Sequence, residues 1–302
     1  MDPARPADPR TPRGDCGRDS PPDGRRDIRR HRPALGLPVV VLQRSSTYKA
    51  EGVVLSRRDL GDADRIVTLF TREFGRRRLV ARGSRRPTSQ LAPHIELFSR
   101  VRLMGVVGAN LDVLSQAQSL ETYPRFREDL AAFAAAGWAV ELLDGLSEDG
   151  EAAPDAYAAL VAFLGALNQR ATDPEPLLSA LALTLLDVHG YAPELWQCTV
   201  CSRTIEPGAH AFAPRTGGVI CSTCSQDNAS HALSVDTLKS LRFIAHEGLA
   251  GASRLRADPR TRAELRTALR AYAAAVVERD ISSAHILERA GAGSAPRPAP
   301  GA

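Results

Sequence analysis

GVVLSRRDLGDADRIVTLFTREFGRRRLVAR, residues 52–82, is the stretch on which the fold turns. Its apolar segments are short and divided by glycine. Val53, Val54 and Leu55 open a first strand, and Ile66–Phe70 form a second between Gly61 and Gly75. In a third, Leu79 and Ala81 alternate with Arg78, Val80 and Arg82, so one face is apolar and the other largely basic. Period-two alternation is the signature of a half-buried strand, and glycine supplies the tight turns between strands. Further along, Val101 and Leu103 alternate with Arg100 and Arg102 in a fourth strand. Gly108-Ala109-Asn110 then turns into a fifth near Leu111–Leu120. Five short strands in succession predict a small barrel, and the OB-fold is the five-stranded barrel often used to bind nucleic acid.

Charge divides along the chain. Residues 57–102 hold twelve arginines against five acids, whereas residues 103–302 hold sixteen basic and twenty-three acidic residues. The net charge of +4 therefore hides a basic module followed by an acidic one, the distribution of a nucleic-acid binder joined to a scaffold or partner domain. The candidate nucleic-acid contacts are Arg57, Arg58, Arg65, Arg76, Arg77, Arg78, Arg82, Arg85, Arg86 and Arg102. Guanidinium forks match phosphate oxygens and stack on bases. The acids that would neutralise these arginines lie elsewhere in the sequence. The competing reading is a solvated charged rim.

After Tyr123-Pro124 the apolar period lengthens to three or four. Leu130, Phe133, Gly137, Val140 and Leu143 mark one helix, and a second runs from about Pro154 to Ala171. Asp173-Pro174 reads as a cap and first turn. The helix that follows, with Leu177, Leu178, Leu181, Leu183, Leu185 and Leu186, is apolar nearly all round and therefore central. Gly190 and Pro193 end it. Two more helices are expected, about Ser234–His246 and Pro259–Leu287, the last capped by Asp258 with Leu265, Leu269, Tyr272, Val276 and Val277 inward. His189, His246 and His285 show no metal spacing.

Between these helices lie Cys198, Cys201, Cys221 and Cys224, two C-x2-C pairs at the separation of a zinc site. Two cysteines around one tight turn aim both sulfurs at one ion, and Gly208, Gly217 and Gly218 suit the turns that join the pairs. Four thiolates leave no open position, so one structural Zn2+ is expected, holding an otherwise coreless loop. His210 and His231 stand nearby as bystanders. Cys16 is an incidental thiol in a polar tail. Thiols kept as metal ligands fit a reducing compartment, so the expected location is cytoplasmic, with nucleoid association expected of a nucleic-acid binder.

Residues 1–46, rich in Pro, Arg and Asp, and the tail at 291–302 read as disordered. The run Leu35–Leu42 after Arg29 and Arg30 mimics an export signal but has no small-residue cleavage pattern. The extension is alternatively a start-site over-call, which would need a Val or Leu start codon because Met104 is the only other methionine. No apolar run approaches the ~20 residues that span a membrane. There is no Walker loop, G-x-G-x-x-G after a strand, H-E-x-x-H or G-x-S-x-G, and no His-x-Glu before either cysteine pair. The nearest approach to a catalytic set is Asp59, Asp62 and Asp64. These match no calcium loop and read as a strand-connecting turn in which Asp64 and Arg65 orient one another. The expected activity is therefore non-enzymatic. A metal-dependent nuclease using those three aspartates, and a partner-docking scaffold without direct DNA contact, are the alternatives.

The stretch YKAEGVVLSRRDLGDADRIVTLFTREFGRRRLVARGSRRPTSQLAPHIELFSRVRL (48–103) resembles the start of the RecO family of DNA repair proteins. HGYAPELWQCTVC with GGVICSTC is similar to that family's zinc insert, and ALSVDTLKSLRFIAHEG is similar to its later part. The resemblance covers about residues 48–288. It implies an α+β multidomain fold: an OB-fold barrel at 47–123, then a helical domain at 124–290 with its zinc insert at 196–226. It implies binding of single- and double-stranded DNA, annealing of complementary strands without nucleotide hydrolysis, and work with RecR and the single-strand binding protein to load RecA. It also implies an apolar groove on the helical domain for an acidic partner tail, to which Arg242, Arg266 and Arg270 are conceivable contributors. Not all members of the family keep the cysteines, in keeping with a scaffold role for the metal.

Overall fold

The computed structural model describes residues 46–169, 174–226, 229–284 and 286. The readings of the N-terminal extension before residue 46 (Cys16, Leu35–Leu42 and the start site included), of the Asp173 cap, of Ala171, of His285 and Leu287, and of the tail at 291–302 lie outside the described residues.

Five strands, β1 (Thr47–Leu60), β2 (Asp64–Thr71), β3 (Gly75–Ala81), β4 (Arg100–Val106) and β5 (Asp112–Glu121), close into a barrel in the order β1-β2-β3-β5-β4. Only the β3–β5 pairing is parallel. This is the expected OB-fold. Closure depends on the length of β1: Gly52 and Val53 pair with β2 on one side and β4 on the other. The inward set is aliphatic, with Val54, Val67, Leu69, Leu79, Ala81 and Val101 fully buried, and Ile95 from the β3–β4 connection joins them.

The unbroken run Val53-Val54-Leu55 has a structural cause. Val54 faces the barrel core, while Val53 and Leu55 point outward into a second core made by helices. A strand covered on both faces reads as continuously apolar. Phe98 joins the same seam. It adopts a left-handed φ of +69°, its N–H donates to the Val54 carbonyl at 2.9 Å, and its ring meets Phe126 and Phe133 edge-on.

The helices are α1 (Leu130–Leu146), α2 (Pro154–Gln169), α3 (Glu175–Val188), α4 (Val235–Ala252) and α5 (Pro259–Val277). As expected, α3 is central: it packs on the other four, and its six leucines are buried. Asp129, Ser234 and Asp258 cap α1, α4 and α5 by accepting backbone N–H groups. Three expectations are corrected. Helix α5 stops at Val277, because Glu278 takes a left-handed conformation that ends the turn. Helix α4 reaches Ala252, broken at Gly248 (φ +61°). Leu130 is 60% exposed, since it begins α1 at the rim rather than on the inward stripe.

The insert is more than a metal-held loop. It forms a three-stranded sheet, β6 (His210–Ala213), β7 (Gly218–Ile220) and β8 (His231–Leu233), in the order β7-β6-β8. Leu195, Ile205, Phe212, Val219 and Ile220 enter the helical core, with the Phe212 ring edge-on to Tyr272. The reading of a coreless insert is therefore wrong: strands of three or four residues are too short to show a period, yet they bury their side chains. No helix among the described residues is long and apolar enough to cross a membrane.

Candidate metal centre and nucleic-acid interface

The metal centre is assembled by backbone pairing. The Glu194 N–H donates to the Gly217 carbonyl at 3.0 Å, and the Val219 N–H donates to the Glu194 carbonyl at 2.8 Å. This zips the first cysteine turn to β7. Gly217 is left-handed (φ +83°), and a Cβ on Gly218 would lie 2.3 Å from the Glu194 carbonyl oxygen, so only glycine admits this approach. All four sulfurs then lie within 4.8 Å of one another. The Cys201 and Cys221 sulfurs are 3.8 Å apart. Zinc–sulfur bonds of about 2.3 Å give a tetrahedron edge of about 3.8 Å, so the spacing fits. The Cys221 N–H also points at the Cys198 sulfur, at 3.4 Å.

Electrostatics within the cluster are strained without a cation. Burial opposes ionisation of Cys198, but the N–H groups of Cys221, Cys201 and Val200 outweigh it and lower the thiol to about 6. The Cys221 sulfur in turn pushes Cys224 up to about 12. Four thiolates at this distance repel one another, and a divalent cation removes the conflict. His210 and His231 do not join the group; the His210 ring nitrogen Nε2 meets the Glu206 carbonyl instead.

The insert is bolted to the helices by Arg242. Its Nε and Nη2 donate to the Leu195 carbonyl at 3.0 and 2.8 Å, Nη2 also reaches the Ile205 carbonyl, and the guanidinium lies 4.2 Å over the Trp196 ring. Arg270 and Arg266 face the buried Glu175 carboxylate at 3.2 and 3.8 Å. Arg242 and Arg270 are thereby held as struts of the helical domain, while the Arg266 side chain stays a third exposed.

The barrel arginines are more constrained than their sequence implies. A carboxylate from the α1–α2 connection, Asp149, bridges Arg76 (2.6 Å) and Arg78, and Arg76 also donates to the Asp144 carbonyl at 2.6 Å. Arg77 lies over the rings of Tyr48 and Phe74 and approaches Asp112 at 3.9 Å. Arg65 and Arg85 share Asp59, Arg57 holds Glu96 at 2.8 Å, and Arg102 joins Arg100 on Glu51. The expectation that neutralising acids lie elsewhere fails because Asp59 and Glu96 of the same module pair with these arginines and folding returns Glu51, Asp112, Asp144 and Asp149 from outside it. Among the described residues, Arg58, Arg82 and Arg86 make no ion pair. The partnering role of Asp144 and Asp149 left no local signal, being some seventy positions from the arginines they hold.

The three aspartates do not converge on an ion. Asp59 is spent on arginines, and Asp64 accepts the Gly83 N–H at 2.7 Å. Arg65 pairs with Asp59, correcting the expected Asp64–Arg65 pair. Among the described residues, the four cysteines are the only group of three or more potential ligands close enough to hold a metal.

Two family models match consecutive parts of the chain. The one described as recombination protein O N terminal covers residues 45–123, and the one described as recombination protein O C terminal covers residues 127–285. Among similar proteins, the DNA repair protein RecO of Roseiflexus sp. (strain RS-1) is 39% identical over 246 residues, covering 81% of this chain and 86% of its own. That of Symbiobacterium thermophilum is 36% identical over 244 residues, covering 80% and 96%. That of Cutibacterium acnes is 40% identical over 205 residues, covering 66% and 82%.

Proposed function

The chain belongs to the recombination protein O family, whose members are DNA repair proteins, and from that premise we propose that it is a non-enzymatic, DNA-binding recombination mediator. In this reading residues 47–123 bind single- and double-stranded DNA and anneal complementary strands, while residues 124–290 form the scaffold and partner domain. The observation that carries it is the OB barrel with Arg58, Arg82 and Arg86 free of ion pairs among the described residues, joined to an acidic helical layer. Guanidinium groups without a carboxylate partner bind phosphate without first losing an internal contact. Neutralising the phosphates of two strands at once lowers their mutual repulsion and lets bases pair. Arg57, Arg65, Arg76, Arg77, Arg78, Arg85 and Arg102 contribute to the positive field, though each already has an acidic neighbour.

The ion is read as zinc, held by Cys198, Cys201, Cys221 and Cys224, and its contribution is structural: it cross-links the insert. The partners proposed are RecR, the single-strand binding protein tail and, indirectly, RecA, in the cytoplasm. A hollow of about 650 Å³ between the barrel and α1 is the groove proposed for the apolar end of that tail, although Glu96 and Glu128 also line it. Phe98, Phe126 and Phe133 line it, together with the exposed Leu130 and Arg127.

The test is the salt dependence of single-strand binding. About five covered phosphates give a log–log slope near −3.5. Charge reversal at Arg82 and Arg86 flattens that slope and slows strand annealing. A slope near zero for the unaltered protein refutes the reading, and DNA cleavage with Mg2+ that Asp62→Asn abolishes favours a nuclease instead.

A further inference from the structure

We propose that a single strand of nucleic acid runs across the β1–β4–β5 face of the barrel and lodges a base in the hollow beneath residues 90–94. The proposal rests on the barrel being the nucleic-acid-binding part and names the site within it. The hollow is about 520 Å³, within the range that holds a small planar ligand. Its floor is one row of outward side chains across three strands: Lys49 of β1 opposite Met104 of β4, and Met104 opposite Gln116 of β5. Gln118 lies in the next row opposite Arg102, and Gln90 and His94 overhang from the β3–β4 connection.

The chemistry of these walls matches a base more closely than any other ligand class. A side-chain amide presents a donor and an acceptor in one plane, as a base edge requires, and Gln90, Gln116 and Gln118 offer three. The Met104 thioether is a polarisable floor for a ring face. His94 is held in place by its Nδ1, which lies 3.3 Å from the Ser119 backbone nitrogen and 3.1 Å from the Ser119 hydroxyl. Among the described residues no carboxylate lines the hollow. Lys49 supplies a cation within it, and Arg82 and Arg86 stand on the same β3–β4 connection that forms the overhang.

The opposite choice, the arginine-rich strand β3, is already occupied. Asp149 spans Arg76 and Arg78 as a phosphate would, and Arg77 lies against the Tyr48 and Phe74 rings. A strand laid there has to displace a carboxylate held by two guanidiniums, whereas in the hollow on the β1–β4–β5 face Lys49 makes no ion pair among the described residues and Arg102 alone is held, by Glu51.

Binding of a short fluorescein-labelled single strand of mixed sequence to the full chain, read by anisotropy, tests this. The double variant Lys49→Glu, Gln116→Glu is expected to bind at least about tenfold more weakly, because it sets two negative charges against the phosphates. Arg78→Glu, on the face where Asp149 already holds the guanidinium, is expected to weaken binding clearly less than that double variant does. Binding by Lys49→Glu, Gln116→Glu within about twofold of the unaltered protein, while Arg82→Glu with Arg86→Glu weakens it, overturns the groove and leaves the barrel reading intact. No binding by the unaltered protein removes both. A second measurement does not depend on the variants folding. Photocrosslinking of a 5-iodouracil strand to the unaltered protein should label a peptide containing Met104 or Gln116, and labelling confined to the Arg76–Arg78 segment overturns the proposal.

Discussion

Glu264 shows how much one side chain can hold. Its Oε2 accepts the Ser234 N–H at 2.7 Å and the Thr237 hydroxyl at 2.6 Å, and its Oε1 accepts from Arg260 at 2.8 Å, so a residue of α5 completes the cap of α4. Burial pushes the carboxyl up, but these donors outweigh it and hold it at about 2. A depressed carboxylate stabilises the fold fully above its unfolded pKa, about 4.3, and loses that contribution as pH falls towards the folded value. Glu264→Gln should therefore lower stability at neutral pH by about 1–3 kcal/mol. The gap in melting temperature between it and the unaltered protein should close between about pH 5 and pH 2, and a gap constant across that range would contradict the account. At this scale the sequence is only partly legible. The caps at Ser234 and Asp258 follow from residue type and position, but nothing near Glu264 announces that it serves the neighbouring helix. The arginines carry the same lesson, since Arg78 and Arg82 look alike in sequence and differ in the fold because Asp149 reaches only the first.

Among the elements, legibility follows length. The barrel strands are long enough to show their period, and α3 declares its central place by being apolar all round. The insert strands, at three and four residues, do not. The insert therefore has two supports, its metal ligands and a buried sheet clamped by Arg242. Metal removal should lower the melting temperature while leaving barrel and helices folded. Chelation followed by calorimetry and far-ultraviolet circular dichroism checks this, with single-strand binding measured below the new melting point expected to persist. Chelated protein that keeps its thermal stability but loses DNA binding would reverse this division of labour. The metal would then belong to the binding surface rather than the scaffold.

At the scale of the whole molecule, the barrel and helices share one core through Val53, Leu55, Phe70 and Phe98. A polar seam runs beside it. The Gly150 N–H donates to the Arg76 carbonyl at 3.1 Å, Asp149 holds Arg76 and Arg78, and a Cβ on Gly75 would lie 1.7 Å from the Glu151 carbonyl oxygen. Asp149→Ala should cost about 0.5–1 kcal/mol, as expected of a partly exposed ion pair. It should also speed amide exchange at residues 75–78 and 147–151 while the barrel core stays protected. Unchanged exchange there would show that backbone pairing alone closes the seam. The sequence by itself determined the strands of the barrel, the central helix, the four-cysteine centre and the basic sign of the N-terminal module, because each rests on a local period, a short spacing or a count of charges. Only the tertiary structure decided which arginines remain open and which are held by carboxylates or rings. Those outcomes depend on acids and rings brought together across many residues of chain, and no local pattern encodes such a meeting.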